Sequence, residues 1–261
     1  MTAEVPAKAV PGMRGPAARS SLVWDVLQGV VAARAAQAGR PGRGELDIVD
    51  VGGGTGGFAV PFAALGHRVT VVDPSPDALA AAQRRAAEMR VTLTALQGDA
   101  GELASLVGDS AADLVICHSV LEYVDSPAAA MAAVARVLRP GATVSVLAAN
   151  TVAAVLQRAL AGRYAEARQL LASEGAGAGV PHRFTLAGLT ALIEDAGLRA
   201  GDAHGIRVFA GLLPGAGPGG GSAAAAADPA AADELRALEE AAAAYPALRD
   251  IAARLHVLGH R

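Results

Sequence analysis

Between Leu46 and Gly57 a short apolar run breaks into glycine. Leu46-Asp-Ile-Val-Asp-Val51 is followed by five glycines in six residues. An apolar pattern at helical spacing then starts at once with Phe58, Val60, Phe62 and Leu65. A strand that ends in a glycine turn and feeds a helix restricts the fold sharply. The β-branched residues suit a buried strand. Glycines let the backbone pass close to a ligand, and the first helical N–H groups, unpaired within the helix, face it. This is the opening of a βαβ unit, with a nucleotide-type ligand expected beyond the carboxyl end of the strand. The next strand-like run, Arg68-Val-Thr-Val-Val-Asp73, ends on a carboxylate. Its spacing suits a group that accepts hydrogen bonds from a ribose diol.

The alternation continues along the chain. A helix over 20–38 comes first, ended by Gly39-Arg-Pro-Gly-Arg-Gly44. Strands are expected at 46–51, 68–72, 91–97, 113–117 and 142–148, with helices at 57–65, 76–89, 101–107 and 127–138 between them. Such a pattern means a parallel sheet with helices on both faces. After Asn150 it is interrupted by two helices, 151–160 and 164–172, and a glycine loop at 175–179. It resumes with a helix at 186–196 and a strand at 204–213. A helix at 233–244 and a short strand at 255–258 close the chain. Residues 1–15, rich in Pro, Gly and Ala, read as disordered, and 16–261 as a single domain. Within it, 151–183 is a helical insertion, and the Pro/Gly/Ala stretch 214–232 reads as a mobile loop.

Composition narrows the function class. The chain has 261 residues, is 52% hydrophobic and 3% aromatic, and carries a formal net charge of −3. Its core must therefore come from Val, Leu and Ala. Lys8 is the only lysine, so positive charge is almost all arginine, suited to planar recognition of carboxylate and phosphate. One cysteine, Cys117, excludes an intramolecular disulfide and a multi-cysteine zinc site; it sits in an apolar run and reads as a core residue. No metal site is expected. The N-terminus lacks the apolar core of a signal peptide, and no segment reaches the roughly 18 apolar residues of a membrane span, so a cytoplasmic protein is expected.

The glycine loop alone is shared by dinucleotide dehydrogenases and S-adenosylmethionine (SAM) methyltransferases. Three details favour the second. Asp50-Val-Gly-Gly-Gly-Thr-Gly56 resembles the E/D-x-G-x-G-x-G motif of class I methyltransferases. Gly98-Asp-Ala100 follows strand three, where that family contacts the adenine. His118-Ser-Val-Leu-Glu-Tyr-Val124 and the later Leu138-Arg-Pro-Gly141 also resemble it. The resemblance implies a Rossmann-like α/β sheet of seven strands, mostly parallel, with a helical insertion after strand five.

The chain further resembles the bacterial tRNA 5-carboxymethoxyuridine methyltransferase family. Arg19-Ser-Ser-Leu-Val-Trp24, Asn150, Leu160-Ala-Gly-Arg-Tyr164, Gly205-Ile-Arg-Val-Phe209 and Leu255-His-Val257 match its pattern in order over about residues 16 to 258. That implies SAM as cofactor, methyl-esterification of a modified wobble uridine, and the tRNA anticodon loop as partner. It implies Gly52, Gly53 and Gly54 beside the methionine half of SAM and Asp73 on the ribose. Ala100 and Gly101 would lie along the adenine and Arg19 would pair with the SAM carboxylate. His118 would make a cofactor contact rather than act as a base. Trp24 reads as a packing residue. Arg207, in the Gly-Ile-Arg-Val-Phe element, is the candidate to orient the acceptor.

Two departures fall on the acceptor side. The family's lysine-rich segment is Ser173-Glu-Gly-Ala-Gly-Ala-Gly179 here, and the tyrosine before Asn150 is Ala149. RNA affinity rests largely on phosphate neutralisation, so a small-molecule acceptor is the alternative. A SAM-binding regulatory module and a nicotinamide reductase are more distant readings.

Overall fold

The computed structural model describes residues 21–37, 45–172, 181–212 and 229–261. The expectations for 1–15, Arg19, the glycine loop at 175–179 and most of the 214–232 loop lie outside these residues.

The first helix, α1, is Ser21–Gln37. Alternating strands and helices then build one sheet: β1 Asp47–Val51, α2 Ala59–Ala64, β2 Arg68–Asp73, α3 Pro76–Glu88, β3 Thr94–Gln97, α4 Leu103–Val107, β4 Ala112–His118, α5 Pro127–Val137 and β5 Leu138–Ala149. Helices α6 Thr151–Leu160 and α7 Tyr164–Ala172 form the insertion. They are followed by α8 Leu186–Asp195, β6 Arg199–Ile206, α9 Pro229–Ala243, α10 Pro246–Arg249 and β7 Arg254–His260. The strand order is β3-β2-β1-β4-β5-β7-β6. All pairs are parallel except those of β7, which runs antiparallel to both neighbours. The seven-stranded, mostly parallel sheet expected from the sequence is the one found.

Each central strand is buried on both faces, which is why β1 and β4 read as unbroken apolar runs. Val49, Val51, Val115 and Cys117 point to one cluster with α5 and α8. Ile48, Leu114 and Ile116 point to the other, with Val23, Trp24 and Leu27 of α1 and Phe62 of α2. Trp24 is buried and packs on Phe62 with ring centroids 4.7 Å apart. The helices start where sequence chemistry asks them to. Ser75 and Ser126 each accept a backbone N–H at the head of α3 and α5, with Pro at the first helical position. Asn150 and Thr185 do the same for α6 and α8.

Several boundaries differ from the sequence reading: β3 starts at Thr94 rather than 91, α9 starts at Pro229 rather than 233, and three further differences follow. The strand expected at 204–213 is Arg199–Ile206. Ile206-Arg207-Val208 alternates apolar and polar as a strand would, but the chain turns at Arg207, whose φ is +61°. The N–H groups of Val208, Phe209 and Ala210 go to the Glu239 carboxylate of α9 at 2.6–2.9 Å. The edge strand itself is polar, Arg-Ala-Gly-Asp-Ala-His, and so gave no apolar signal. Secondly, β5 starts at Leu138, and Arg139-Pro-Gly141 lies in a register shift against β4 rather than in a separate turn. Thirdly, β7 extends over Arg254–His260, past the four residues expected.

At the amino edge of the sheet, the buried carboxylate of Asp113 holds three elements. It accepts from Arg34 Nε of α1 at 3.0 Å, from Arg139 Nη1 of β5 at 2.7 Å and from the Asp47 N–H of β1 at 3.2 Å. Replacing it by alanine leaves the Arg34 guanidinium and the Asp47 N–H without this acceptor and leaves Arg139 with Asp47 alone. Asp113→Ala is expected to cost about 2–3 kcal/mol of stability, read as a lower urea midpoint with an unchanged slope.

Candidate active site

The strand order reverses between β1 and β4, and the loops leaving their carboxyl ends splay apart there. Ligands bind at such a point in open α/β sheets. A cavity of about 570 Å³ lies there, lined among others by Gly52, Asp73, Asp99, Ala100, Gly101 and Val120. Of the sequence's cofactor candidates, Gly52, Asp73, Ala100 and Gly101 thus meet in one place, with Gly53 and Gly54 in the loop beside it.

The glycines are there for steric reasons. Gly52 has φ +62°, and a Cβ on it would overlap the Val120 side chain, which lines the same cavity. A Cβ on Gly53 would lie 2.7 Å from the Asp50 carboxyl carbon and 2.9 Å from Val71. Asp50 itself is buried beneath the loop, and its Oδ2 has no partner among the described residues. Burial, reinforced by the nearby Asp73 charge, pushes its carboxyl up to about 7 against the opposing hydrogen bond from the Ala59 N–H.

Asp73 closes the cavity from β2. Its Oδ2 accepts the Gly54 N–H and its Oδ1 the Ser75 N–H, both at 2.9 Å. A carboxylate has about four lone-pair directions, so two remain for a ligand. Buried Ala100 and exposed Gly101 open the 3₁₀ turn after β3. An adenosyl group asks for a glycine cradle, a carboxylate for its diol and a backbone edge for its base, and these residues supply all three.

His118 ends β4, but its ring turns toward the α1 face of the sheet. It meets Phe58 edge-on at 5.0 Å, and Nε2 bonds Ser145 Oγ at 2.7 Å. Ser145 Oγ also bonds His256 Nε2 at 2.8 Å, and His256 Nδ1 lies 3.3 Å from His204 Nδ1. A polar row therefore crosses β4, β5, β7 and β6. His118 Nδ1 is buried without a partner among the described residues. Burial first, then the charges of His256 and Arg254, hold His118 well below the usual histidine range. Neutral at physiological pH, it does not offer a charge.

A second group of polar residues stands between this cavity and the insertion. Glu122 is buried; its Oε1 accepts the Ala149 N–H at 2.9 Å, while Oε2 has no partner among the described residues. Arg254 bonds Ser119 Oγ and stands 4.0 Å from Glu122 Oε1. Arg183 is half-buried. Burial and then the Arg158 charge lower its pKa, Arg254 adds to that, and Glu122 and Tyr123 oppose it. Tyr123 lines the first cavity and is 74% exposed. Sequence reasoning gives Glu122 and Arg254 no role, and Arg183 only a place among the arginines that could form a local basic patch toward RNA. Two of them lie in motifs already singled out, His118–Tyr123 and the approach to Leu255-His-Val257, but nothing in the sequence says that these segments meet. Arg207 follows β6, the outermost strand, separated from β4 and its loop by β7 and β5.

Comparison with known proteins agrees with this geometry. Residues 49–146 match the methyltransferase domain family. A SAM-dependent methyltransferase of solved structure from Mesorhizobium loti superposes with a TM-score of 0.57 over 95% of this chain and 100% of its own, at 22% identity. The fold is that of class I methyltransferases, and residues 49–146 form a methyltransferase domain whose cofactor is S-adenosylmethionine. The tRNA 5-carboxymethoxyuridine methyltransferase of Escherichia coli K12 is 28% identical over 148 residues, 56% of this chain and 54% of the relative. A ubiquinone biosynthesis O-methyltransferase from Aeromonas salmonicida is 36% identical over 103 residues, 40% of this chain and 43% of the relative. The chain thus spans about half the length of the curated relatives it matches. Among the described residues no cluster suits a metal ion and no helix is long and apolar enough to cross a membrane.

Two measurements test the site. Asp73→Ala is expected to weaken S-adenosylhomocysteine binding by about 100-fold, the scale of lost hydrogen bonds to a charged acceptor; equal affinity by calorimetry would remove Asp73 from the ribose. The second concerns pH. His256 is held down to about 3 by burial and the His204 charge, against 6.5 when unfolded. The unfolded chain takes up that proton first, so stability is full above 6.5 and falls as pH drops towards 3. His256→Gln, which does not titrate, should flatten the fall by about 1.4 kcal/mol per pH unit in that window; denaturation curves at several pH values read it directly.

Proposed function

We propose that this chain transfers the methyl group of SAM to a carboxylate of its acceptor and forms a methyl ester. The observation that carries the reading is the charge balance beside the cofactor cavity. Arg183 and Arg254 share the field of a single buried carboxylate, Glu122, while Arg158, itself paired with Glu166, adds positive charge beside Arg183, whose Nε has no hydrogen-bond partner among the described residues. An anionic group on the acceptor offsets that positive charge.

For the cofactor, Gly52, Gly53 and Gly54 take the methionine half, Asp73 the ribose diol, and Ala100 and Gly101 the adenine edge. His118 contributes a contact through its unpartnered Nδ1, and Arg19 is assigned to the SAM carboxylate. When bound, SAM supplies an activated methyl: a carboxylate lone pair takes it, the C–S bond breaks with its electrons on sulfur, and no proton moves. The protein therefore needs no general base, which accords with a neutral, hydrogen-bonded His118. Its work is placement of the carboxylate and exclusion of water. Arg183 and Arg254 take the orienting role ahead of Arg207, because they face the loop that lines the cofactor cavity.

The acceptor that the sequence resemblance selects is 5-carboxymethoxyuridine at the wobble position of tRNA. The first relative above carries that substrate in its name, and its acceptor is a carboxylate. A small carboxylic acid is the second reading, favoured by an apolar cavity in the insertion and by a chain with one lysine.

Mild alkali separates ester formation from other methyl transfers. Label from methyl-tritiated SAM should be released as volatile methanol; alkali-stable label would mean a different bond. Arg183→Gln is expected to lower kcat/KM by about 10- to 100-fold, as for loss of a charge-assisted hydrogen bond, with cofactor affinity unchanged. For the acceptor, nucleosides from tRNA of cells with and without the gene are compared. Loss of the methyl ester of 5-carboxymethoxyuridine supports tRNA, and an unchanged profile in cells that make the acid precursor rejects it.

A further inference from the structure

The insertion encloses a second cavity, of about 630 Å³, between α6, α7 and the segment 182–185. That size is typical of a small-molecule site. Its walls are Val152, Val155 and Leu156 of α6, Leu170 and Leu171 of α7, and Phe184. The segment 182–185 is fixed on both sides. The His182 N–H donates to the Glu122 carbonyl at 2.8 Å, the Phe184 N–H to the Ala149 carbonyl at 2.9 Å and the Thr151 N–H to the Phe184 carbonyl at 3.0 Å. This places Arg183 at the cavity wall, held between the Glu122 loop and the start of α6.

Two buried polar atoms of residues that line this cavity have no partner among the described residues, Arg183 Nε and Thr151 Oγ1. A buried donor without an acceptor is costly; both atoms are closed to solvent here, so a ligand group in the adjoining cavity would supply the missing partner once these side chains shift toward it. The His182 bond to the carbonyl of Glu122, the residue before Tyr123, sets Arg183 on the wall of this cavity and beside the loop that lines the cofactor cavity.

We propose that this second cavity is the acceptor site, and that it takes a monocarboxylic acid with an apolar body. The body fills the space against Val155, Leu156, Leu170 and Phe184. The carboxylate meets Arg183 at the end that faces the cofactor cavity, and Thr151 Oγ1 bonds the same polar end. The inference rests on the methyl-ester reading and follows its small-molecule branch. A nucleotide fits this site poorly: the polar side chains on the wall are Thr151, His182, Arg183 and Thr185, and the nearby Arg158 and Arg163 are each engaged with Glu166 at 3.5 Å.

The test uses the full chain loaded with S-adenosylhomocysteine and two probes, 4-phenylbutyrate and its neutral amide, by calorimetry. The acid is expected to bind, and the amide about tenfold more weakly or worse. Val155→Trp fills the cavity from α6 and should abolish acid binding. Val155→Phe is the milder companion, and unchanged S-adenosylhomocysteine affinity in either variant shows that it has folded. Acid binding that survives both substitutions overturns the proposal, as does equal binding of acid and amide. With SAM and the acid, alkali-labile label supports both this site and the methyl-ester reading. If RNA carrying 5-carboxymethoxyuridine acquires alkali-labile label while no acid binds, the ester reading stands and the cavity proposal falls. If the acid binds but transferred label is alkali-stable, the cavity stands as a ligand site and the ester reading falls.

Discussion

The Asp73 carboxylate is the interaction on which the cofactor side depends. One oxygen holds the glycine loop after β1 and the other holds the turn that starts α3. Two loops from two strands are thereby fixed by one side chain before any ligand arrives. Preorganised loops lose little entropy on binding, so more of the interaction is left for affinity. The same carboxylate adds charge beside Asp50, which burial already drives toward its neutral form. The site is thus built at some electrostatic cost, offset by the hydrogen bonds that Asp73 itself receives.

The rest of the sheet arranges what this corner cannot supply. β7 enters antiparallel between β5 and β6, and so brings Arg254 to the carboxyl edge beside Ser119. Residues more than a hundred positions apart are thereby bonded to each other at this edge. The insertion after β5 is tied back through the 182–184 segment, so α6 and α7 are not a loose appendage but a wall with defined contacts.

Much of the central sheet was legible in the sequence because its signals are local. β1 and β4 are buried on both faces and read as apolar runs, and Ser75-Pro76 and Ser126-Pro127 announce helix starts. That Gly52 and Asp73 line one cavity was legible for the same reason, since a glycine turn and a strand-ending acid are short patterns. The edge of the sheet was less so. β6 is polar because one side of it is an edge, and Ile206–Val208 alternates like a strand although Arg207 reverses the chain. The grouping of Glu122, Arg183 and Arg254 was hidden by topology. Nothing near Arg183 in the sequence shows that Glu122 and Arg254 are its neighbours, because that contact exists only once the strand order is set. His118 shows the reverse limit: its position after β4 was evident, but its ring orientation depended on Ser145 and His256, on two other strands.

Glu239 gives the outer end of the molecule an unusual freedom. Its carboxylate gathers three consecutive backbone N–H groups of the turn after β6, and so pins α9 to that turn with a single side chain. The polypeptide between them, 213–228, is bracketed by this clasp. The entropy of closing such a connection grows only slowly with its length. Insertions, deletions or repeat expansion in that stretch therefore leave the sheet and both cavities nearly unaffected, as long as Glu239 stays.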